Sequence, residues 1–293
     1  MEKIKEFISE KRSTLSKSSV NTYASILKNL YKKVFDDTEY DLKKFEKPEP
    51  VLEYLKDMPP NKRKTILSAL VVITNEKAYR DLMMEDVRDY NKEIDTQTKT
   101  ETQKENWING DGIQDIYNEL KTNADALYKK KSLTPSDLQQ IQNYIIISVL
   151  GGIYVPPRRS KDFVDFKIKN IDKTKDNYLD KNKMVFNSYK TAKTYGQQSV
   201  EIPKELKSIL TKWIKINPTE YFLFDQNMNQ LSSVKLNQRM NKIFGKKISV
   251  NAMRHSFLTD KYSKTSEESK KLAADMSAMG SSKNMADVYI KLK

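Results

Sequence analysis
Residues 95–106, DTQTKTETQKEN, contain no apolar side chain. Such a tract has nothing to bury, so no core can run through it and the chain must build a hydrophobic core on either side. The tract is predicted to be an interdomain linker between a domain at 1–94 and another at 107–293. A length of 293 residues suits that division, since one domain commonly takes about 100–200 residues.

On the N-terminal side the apolar period is helical throughout. In SSVNTYASILKNLYKKVF, Val20, Tyr23, Ile26, Leu27, Leu30 and Val34 share one face, with Ser18 as the expected N-cap. KIKEFISEKR, PEPVLEYLKDM and the run NKRKTILSALVVITNEKAYRDLMMEDVRDYNKEI repeat the pattern, punctuated by Pro59 and Pro60. Beyond the linker, helices are predicted in GIQDIYNELKTNADALYKK and in TPSDLQQIQNYIIISVLGGIY, the latter started by Thr134, Pro135 and Asp137. Between about 163 and 203 the period shortens to two: DFVDFKIKNI, KMVFNSY and QSVEIPKEL read as strands, with the turn KTAKTYG between the last two. Helices return in PKELKSILTKWIKI, VKLNQRMNKIFG, NAMRHSFLTDKY and SEESKKLAADMSAMG. The predicted class is mainly α with a small antiparallel β-sheet in the second domain.

Composition narrows the chemistry. Fifty-three Lys and Arg oppose 39 Asp and Glu, a formal charge of +14. That excess favours a polyanion, because each phosphate neutralised releases condensed counterions. With no cysteine and one histidine, thiolate nucleophiles, disulfides, zinc–thiolate sites and histidine metal cages are excluded. No Gly-rich phosphate loop of the Walker type occurs, so ATP is not expected as a cofactor. DKTKDNYLD, residues 172–180, lacks the alternating oxygen ligands of a calcium loop and is predicted as a charged turn. MEKIKEFISEKR has no apolar segment of a signal peptide, and the longest apolar run, 144–155, falls short of the ~20 residues of a membrane span. The sequence therefore predicts a soluble intracellular protein with no membrane partner.

Four stretches can carry chemistry on a phosphate: PPRRSKDF (156–163), YKTAKTYG (189–196), NAMRHSF (251–257) and MGSSKNMADVYIK (279–291). A guanidinium suits nonbridging phosphate oxygens because it donates two parallel N–H bonds. A lysine on a mobile turn can deliver a proton to a leaving oxygen. Taken in this order and spacing, the four stretches resemble those of the tyrosine recombinase, or phage integrase, family, and the resemblance covers most of the chain.

The resemblance implies an N-terminal helical core-binding (SAM-like) domain and a C-terminal α+β tyrosine recombinase catalytic domain, together a C-shaped clamp on duplex DNA. It implies site-specific recombination through a 3′-phosphotyrosyl intermediate, with Tyr289 as nucleophile, Arg159 and Arg254 as phosphate clamps and Lys190 as the acid. Arg158 is the alternative first arginine and Lys193 the fallback lysine. Two positions depart from the family pattern: Asn251 stands where relatives have histidine, and Ser281 follows Gly280 where many relatives have histidine. Asparagine cannot take a proton as imidazole does. His255 takes the place after the second arginine and reads as a packed, hydrogen-bonded helix residue.

Lys62, Arg63, Lys64, Lys193, Lys235 and Arg239 are further candidates for contacts to the DNA backbone. Relatives assemble as tetramers on DNA through a segment after the tyrosine, where here only Ile290, Leu292 and two lysines stand. A synaptic homo-tetramer would therefore couple through another surface. Two other functions fit the residues: a type IB topoisomerase with the same phosphotyrosine chemistry, and a noncatalytic DNA-binding relative, consistent with Asn251 and Ser281. A composition rich in lysine, asparagine and isoleucine fits an AT-rich source such as a mobile element or large virus.

Overall fold
The computed structural model describes residues 1–37 and 40–279. It divides into two compact units, Met1–Thr100 and a second beginning at Glu101. The first is built from α1 (Glu2–Lys11), α2 (Lys17–Phe35), a 3-10 turn (Leu42–Glu46), α3 (Glu49–Leu55), α4 (Pro60–Thr74) and α5 (Lys77–Asp95). Ile8, Leu27, Tyr31, Phe45, Leu55, Leu67, Leu70 and Tyr79 form its core, and the Tyr79 hydroxyl donates to the Phe45 carbonyl at 2.9 Å. The helix at 17–35 begins two residues earlier than its sequence suggested: Ser16, not Ser18, is the N-cap, accepting from the Ser19 N–H at 3.1 Å. The long periodic run at 61–94 is two helices. Asn75, at φ 58°, closes α4 in the left-handed conformation that asparagine tolerates well, and α5 starts two residues later.

The second unit contains α6 (Glu101–Glu105), α7 (Gly110–Leu127), α8 (Pro135–Leu150), α9 (Ser160–Val164), β1 (Tyr178–Asp180), β2 (Lys183–Phe186), α10 (Ala192–Tyr195), β3 (Gln198–Glu201), α11 (Lys204–Ile216), α12 (Ser233–Phe244) and α13 (Val250–Ala278). α6 lies within the apolar-free tract and buries no residue. α8 is the central helix. Its start is a capping box: the Asp137 N–H donates to Thr134 Oγ1 at 3.2 Å and the Thr134 N–H to Asp137 Oδ2 at 2.9 Å. The helix then buries Ile141, Ile145, Ile146, Ile147, Val149 and Leu150 completely. A helix apolar on every side belongs inside a core, and no described helix is long and apolar enough to cross a membrane.

The sheet is antiparallel in the order β1-β2-β3, with Tyr178 opposite Val185 and Phe186 opposite Gln198. Its first strand is not where the alternating pattern pointed. DFVDFKIKNI instead forms α9 and two isolated bridges, Phe166 to Asn177 and Lys167 to Tyr221. Its aromatic residues pack inward, Phe163 and Phe166 against Phe186 and Phe222. β1 comes from the stretch read as a charged turn. The turn is real at Asp172, whose Oδ1 accepts from the Thr174 N–H at 2.9 Å, but the chain straightens at Tyr178. The predicted turn between β2 and β3 includes the short helix α10.

Candidate functional site
α9, the end of β2 and the first turns of α13 bear the candidate residues, and each is fixed by identifiable contacts. Asn177, fully buried, donates from Nδ2 to the carbonyls of Asp162 and Ser188 at 2.8 Å and accepts from the N–H groups of Asn187 and Ser188 at 2.8 Å. One amide thus ties the end of β2 to α9 and satisfies four polar groups that burial would otherwise penalise. α13 is capped from two sides: Ser249 Oγ accepts from the Ala252 N–H at 3.1 Å, and Asn237 of α12 accepts from the Val250 N–H at 3.1 Å. Asp260 accepts from the Gly110 N–H at 2.6 Å at the start of α7, where a carboxylate meets the positive end of that helix. Gly152, at φ 77°, completes the seat, since a Cβ there would lie 2.6 Å from Phe257 Cδ2.

Arg158 is held on every side. Its Nε donates to Asp162 Oδ2 at 2.8 Å, its Nη1 to Gln198 Oε1 at 3.1 Å, and its Cζ lies 4.0 Å from the Phe186 ring centroid and 5.2 Å from that of Tyr189. Asp162 is 1 % exposed, and its second oxygen, Oδ1, is buried without a partner among the described residues. Burial pushes its carboxyl above the usual carboxylate range against the pull of Arg158. Arg159, half-buried, is the N-cap of α9, and no described residue hydrogen-bonds its guanidinium.

Arg254 joins this group from α13. Burial lowers its pKa, and the neighbouring charge of Arg159, then that of Arg158, lowers it further while Asp162 opposes them. Its Nη1 donates to Asn251 Oδ1 at 3.3 Å. Arg158, Arg159 and Arg254 thus lie within electrostatic reach of one another and of Asp162, a carboxylate already engaged by Arg158, while Asn251 holds Arg254. Such an arrangement has the electrostatics of an anion site.

Lys190 directly follows Tyr189, whose hydroxyl donates to the Gly196 carbonyl at 2.7 Å, and it is exposed at the edge of this cluster's hairpin. Lys193 is exposed on α10. His255 is exposed rather than packed: one step along the helix from Arg254 turns its ring away from the buried face of Met253 and Ser256. Gly280, Ser281 and Tyr289 lie outside the described residues.

The remaining basic candidates differ in their freedom. In the first unit Lys62 is exposed, whereas Arg63 grips the buried Asp86 at 2.7 and 3.0 Å and the Lys56 carbonyl at 3.1 Å. Lys64 lies over the Tyr90 ring, and burial lowers its pKa. On α12, Lys235 pairs with Asp225 at 2.6 Å, and Arg239 donates to Asn143 and Gln139 of α8. Gln198 and Asn177 escaped the sequence reading: a buried amide that satisfies backbone groups has no signature of spacing.

No family model matches the chain, and no curated protein does. Among solved structures, the crystal structure of XerA recombinase is similar at 14% identity, covering 88% of this chain and 83% of that chain, with a TM-score of 0.36.

Proposed function
We propose that the chain cuts and rejoins duplex DNA as a tyrosine-type site-specific recombinase. The observation that carries the reading is that Arg254, from a segment far apart in sequence, lies within electrostatic reach of Arg159 and Arg158. These are the stretches that resemble the family's two arginine motifs, and a concentration of guanidiniums with so little carboxylate calls for an anionic group between them.

In this reading Arg159 and Arg254 grip the nonbridging oxygens of the scissile phosphate, and Arg158 is the support that holds Asp162 and the hairpin. Tyr289 Oη forms the bond to phosphorus, the bond from phosphorus to the 5′ oxygen breaks, and Lys190 supplies the proton that oxygen takes up. The tyrosine proton leaves to water, because Asn251 cannot receive it. Asn251 and Ser281 contribute hydrogen bonds, and the covalent link conserves the bond for religation without ATP or metal. The first unit is the core-binding half and the second the catalytic half of an intracellular, DNA-associated assembly of four copies. Lys62, Lys64, Lys193 and Lys235 touch the DNA backbone; Arg63 serves its buried partner instead.

A second reading, a noncatalytic DNA-binding relative, is favoured by one observation: the Asn251 carbonyl oxygen accepts from Arg254, a contact that holds the arginine without providing a base. Covalent trapping separates the two. The protein is mixed with nicked suicide duplexes from its own genomic neighbourhood and run on denaturing gels beside Tyr289→Phe. An adduct that disappears in the variant is the expected result; duplex binding without any adduct sinks the enzymatic reading.

A further inference from the structure
A second cationic site lies on α12, facing α8. The cleft between these helices and the loop at 225–231 encloses about 610 Å³, a volume in the range of small-molecule sites. Arg239 lies half-buried in its wall, donating from Nε to Asn143 Oδ1 and from Nη1 to Gln139 Oε1, both at 2.6 Å, and from Nη2 to the Gln139 carbonyl. All three acceptors are neutral. Two of its five N–H groups find no acceptor among the described residues, and burial alone lowers its pKa, to about 10.

The carboxylates of the cleft do not answer that charge. Asp225 is occupied by Lys235 at 2.6 Å and by the N–H groups of Asn227 and Asn229 at 2.9 and 3.1 Å, and Glu119 is exposed. Lys242 adds a further positive charge to the lining. No described carboxylate lies against the Arg239 guanidinium; two neutral side-chain amides and a backbone carbonyl hold it in position and leave its charge available. Gln140, Gln238 and Asn227 line the remaining space with groups that both donate and accept, as the edge of a heterocyclic base requires.

We infer that this cleft binds a phosphate-bearing ligand of nucleotide size, with its phosphate on Arg239 and Lys242. The inference is independent of whether the chain cuts DNA. The phosphate can come from a free nucleotide or from a nucleotide of a DNA strand, and the test has an arm for each.

Isothermal titration of the full chain with deoxyadenosine 5′-monophosphate should give saturable one-site binding. Lys242→Glu, an exposed change that leaves the fold intact, should weaken it at least tenfold, and so should Arg239→Lys, which keeps the charge but loses the fork. Lys33→Glu, an exposed charge reversal on α2, should leave it unchanged. A short duplex that displaces the nucleotide assigns the phosphate to DNA, whereas a duplex that does not assigns it to a free nucleotide; either agrees with phosphate recognition here. The inference is overturned by the absence of saturable binding, by binding that Lys242→Glu and Arg239→Lys leave unchanged, or by binding that Lys33→Glu weakens as strongly, which would assign it to the overall positive charge.

Discussion

Replacing Arg158 and Arg159 one at a time should separate a structural arginine from a functional one. Arg158→Ala removes the only described side chain that hydrogen-bonds the Asp162 carboxylate, a group 1 % exposed whose other oxygen already lacks a described partner. Breaking a buried pair from one side costs about 3–5 kcal/mol, because the remaining charge has neither water nor counterion. For a unit of this size each kcal/mol shifts Tm by ~2–4 °C, so the expected drop is about 6–20 °C at neutral pH. Arg159→Ala breaks no described hydrogen bond and should stay within ~0.5 kcal/mol of the parent, as surface changes usually do. Under the proposed function its effect should fall on DNA cleavage instead.

The pH dependence gives a second readout of the same reasoning. The Asp162 carboxyl sits above its ordinary pKa in the folded protein, so the folded state binds this proton more tightly than the unfolded state. That contribution to stability is present at low pH and is lost as pH rises through the folded value. Removing Arg158 removes the pull toward the charged form, so the Arg158→Ala deficit should be largest near neutrality and shrink as pH falls and Asp162 takes up a proton. Thermal unfolding of both variants across pH 4–8 measures this. Equal stability of Arg158→Ala and Arg159→Ala at pH 7, or a deficit that does not change with pH, refutes the assignment of Arg158 as the support.

Other outcomes follow from other contacts. Arg63→Ala should destabilise the first unit by about 3–5 kcal/mol by stranding Asp86, whereas Lys62→Ala should change only DNA affinity; urea melts and a filter-binding titration distinguish them. Gly152→Ala adds a Cβ 2.6 Å from Phe257 at a positive φ, and about 1–3 kcal/mol of overpacking should be partly recovered by Phe257→Leu in a double-mutant cycle. Thr134→Ala should cost ~1 kcal/mol by removing half of the capping box. Asp137, held down to about 2 first by Lys130 and then by Thr134, contributes stability that is present above about pH 4 and lost as pH falls toward about 2, so Asp137→Asn should flatten the acid limb of a pH–stability curve.

The sequence was most informative where local chemistry decides the structure. The helix start at Thr134, Pro135 and Asp137, the apolar run inside α8 and the short-period strands at Lys183–Phe186 and Gln198–Glu201 were legible because each depends on neighbours within four positions. Long-range pairing was not. FKIKNI has a strand's alternation, yet its backbone hydrogen bonds go to Asn177 on one side and to Glu220 and Phe222 on the other, while three residues after a charged turn supply β1. α13 was read as two helices because its middle, from Leu258 to Thr265, is exposed and patternless; the helix persists without a continuous apolar stripe. The arginine motifs were visible as motifs. Which guanidinium is engaged and which is open depended on Asp162, Gln198 and Phe186 meeting in space, and no spacing rule encodes that.

The length of α13 sets a condition on chain reach. From Arg254 to Ala278 the helix rises by 24 steps of ~1.5 Å, so its far end stands roughly 36 Å along the axis from the arginine it positions. Eleven further steps lead to position 289, and a fully stretched chain covers ~3.3–3.6 Å per step, about 36–40 Å in all. With α13 whole, a side chain at 289 meets the Arg254 of its own chain only if the intervening chain turns back along the helix, whereas the Arg254 of a second copy carries no such restriction. Mixing Arg254→Ala protein with Tyr289→Phe protein therefore reports the bookkeeping of ownership: cleavage restored by the mixture means that a working centre is assembled from two chains, and two inert proteins that stay inert together mean that each chain closes its own.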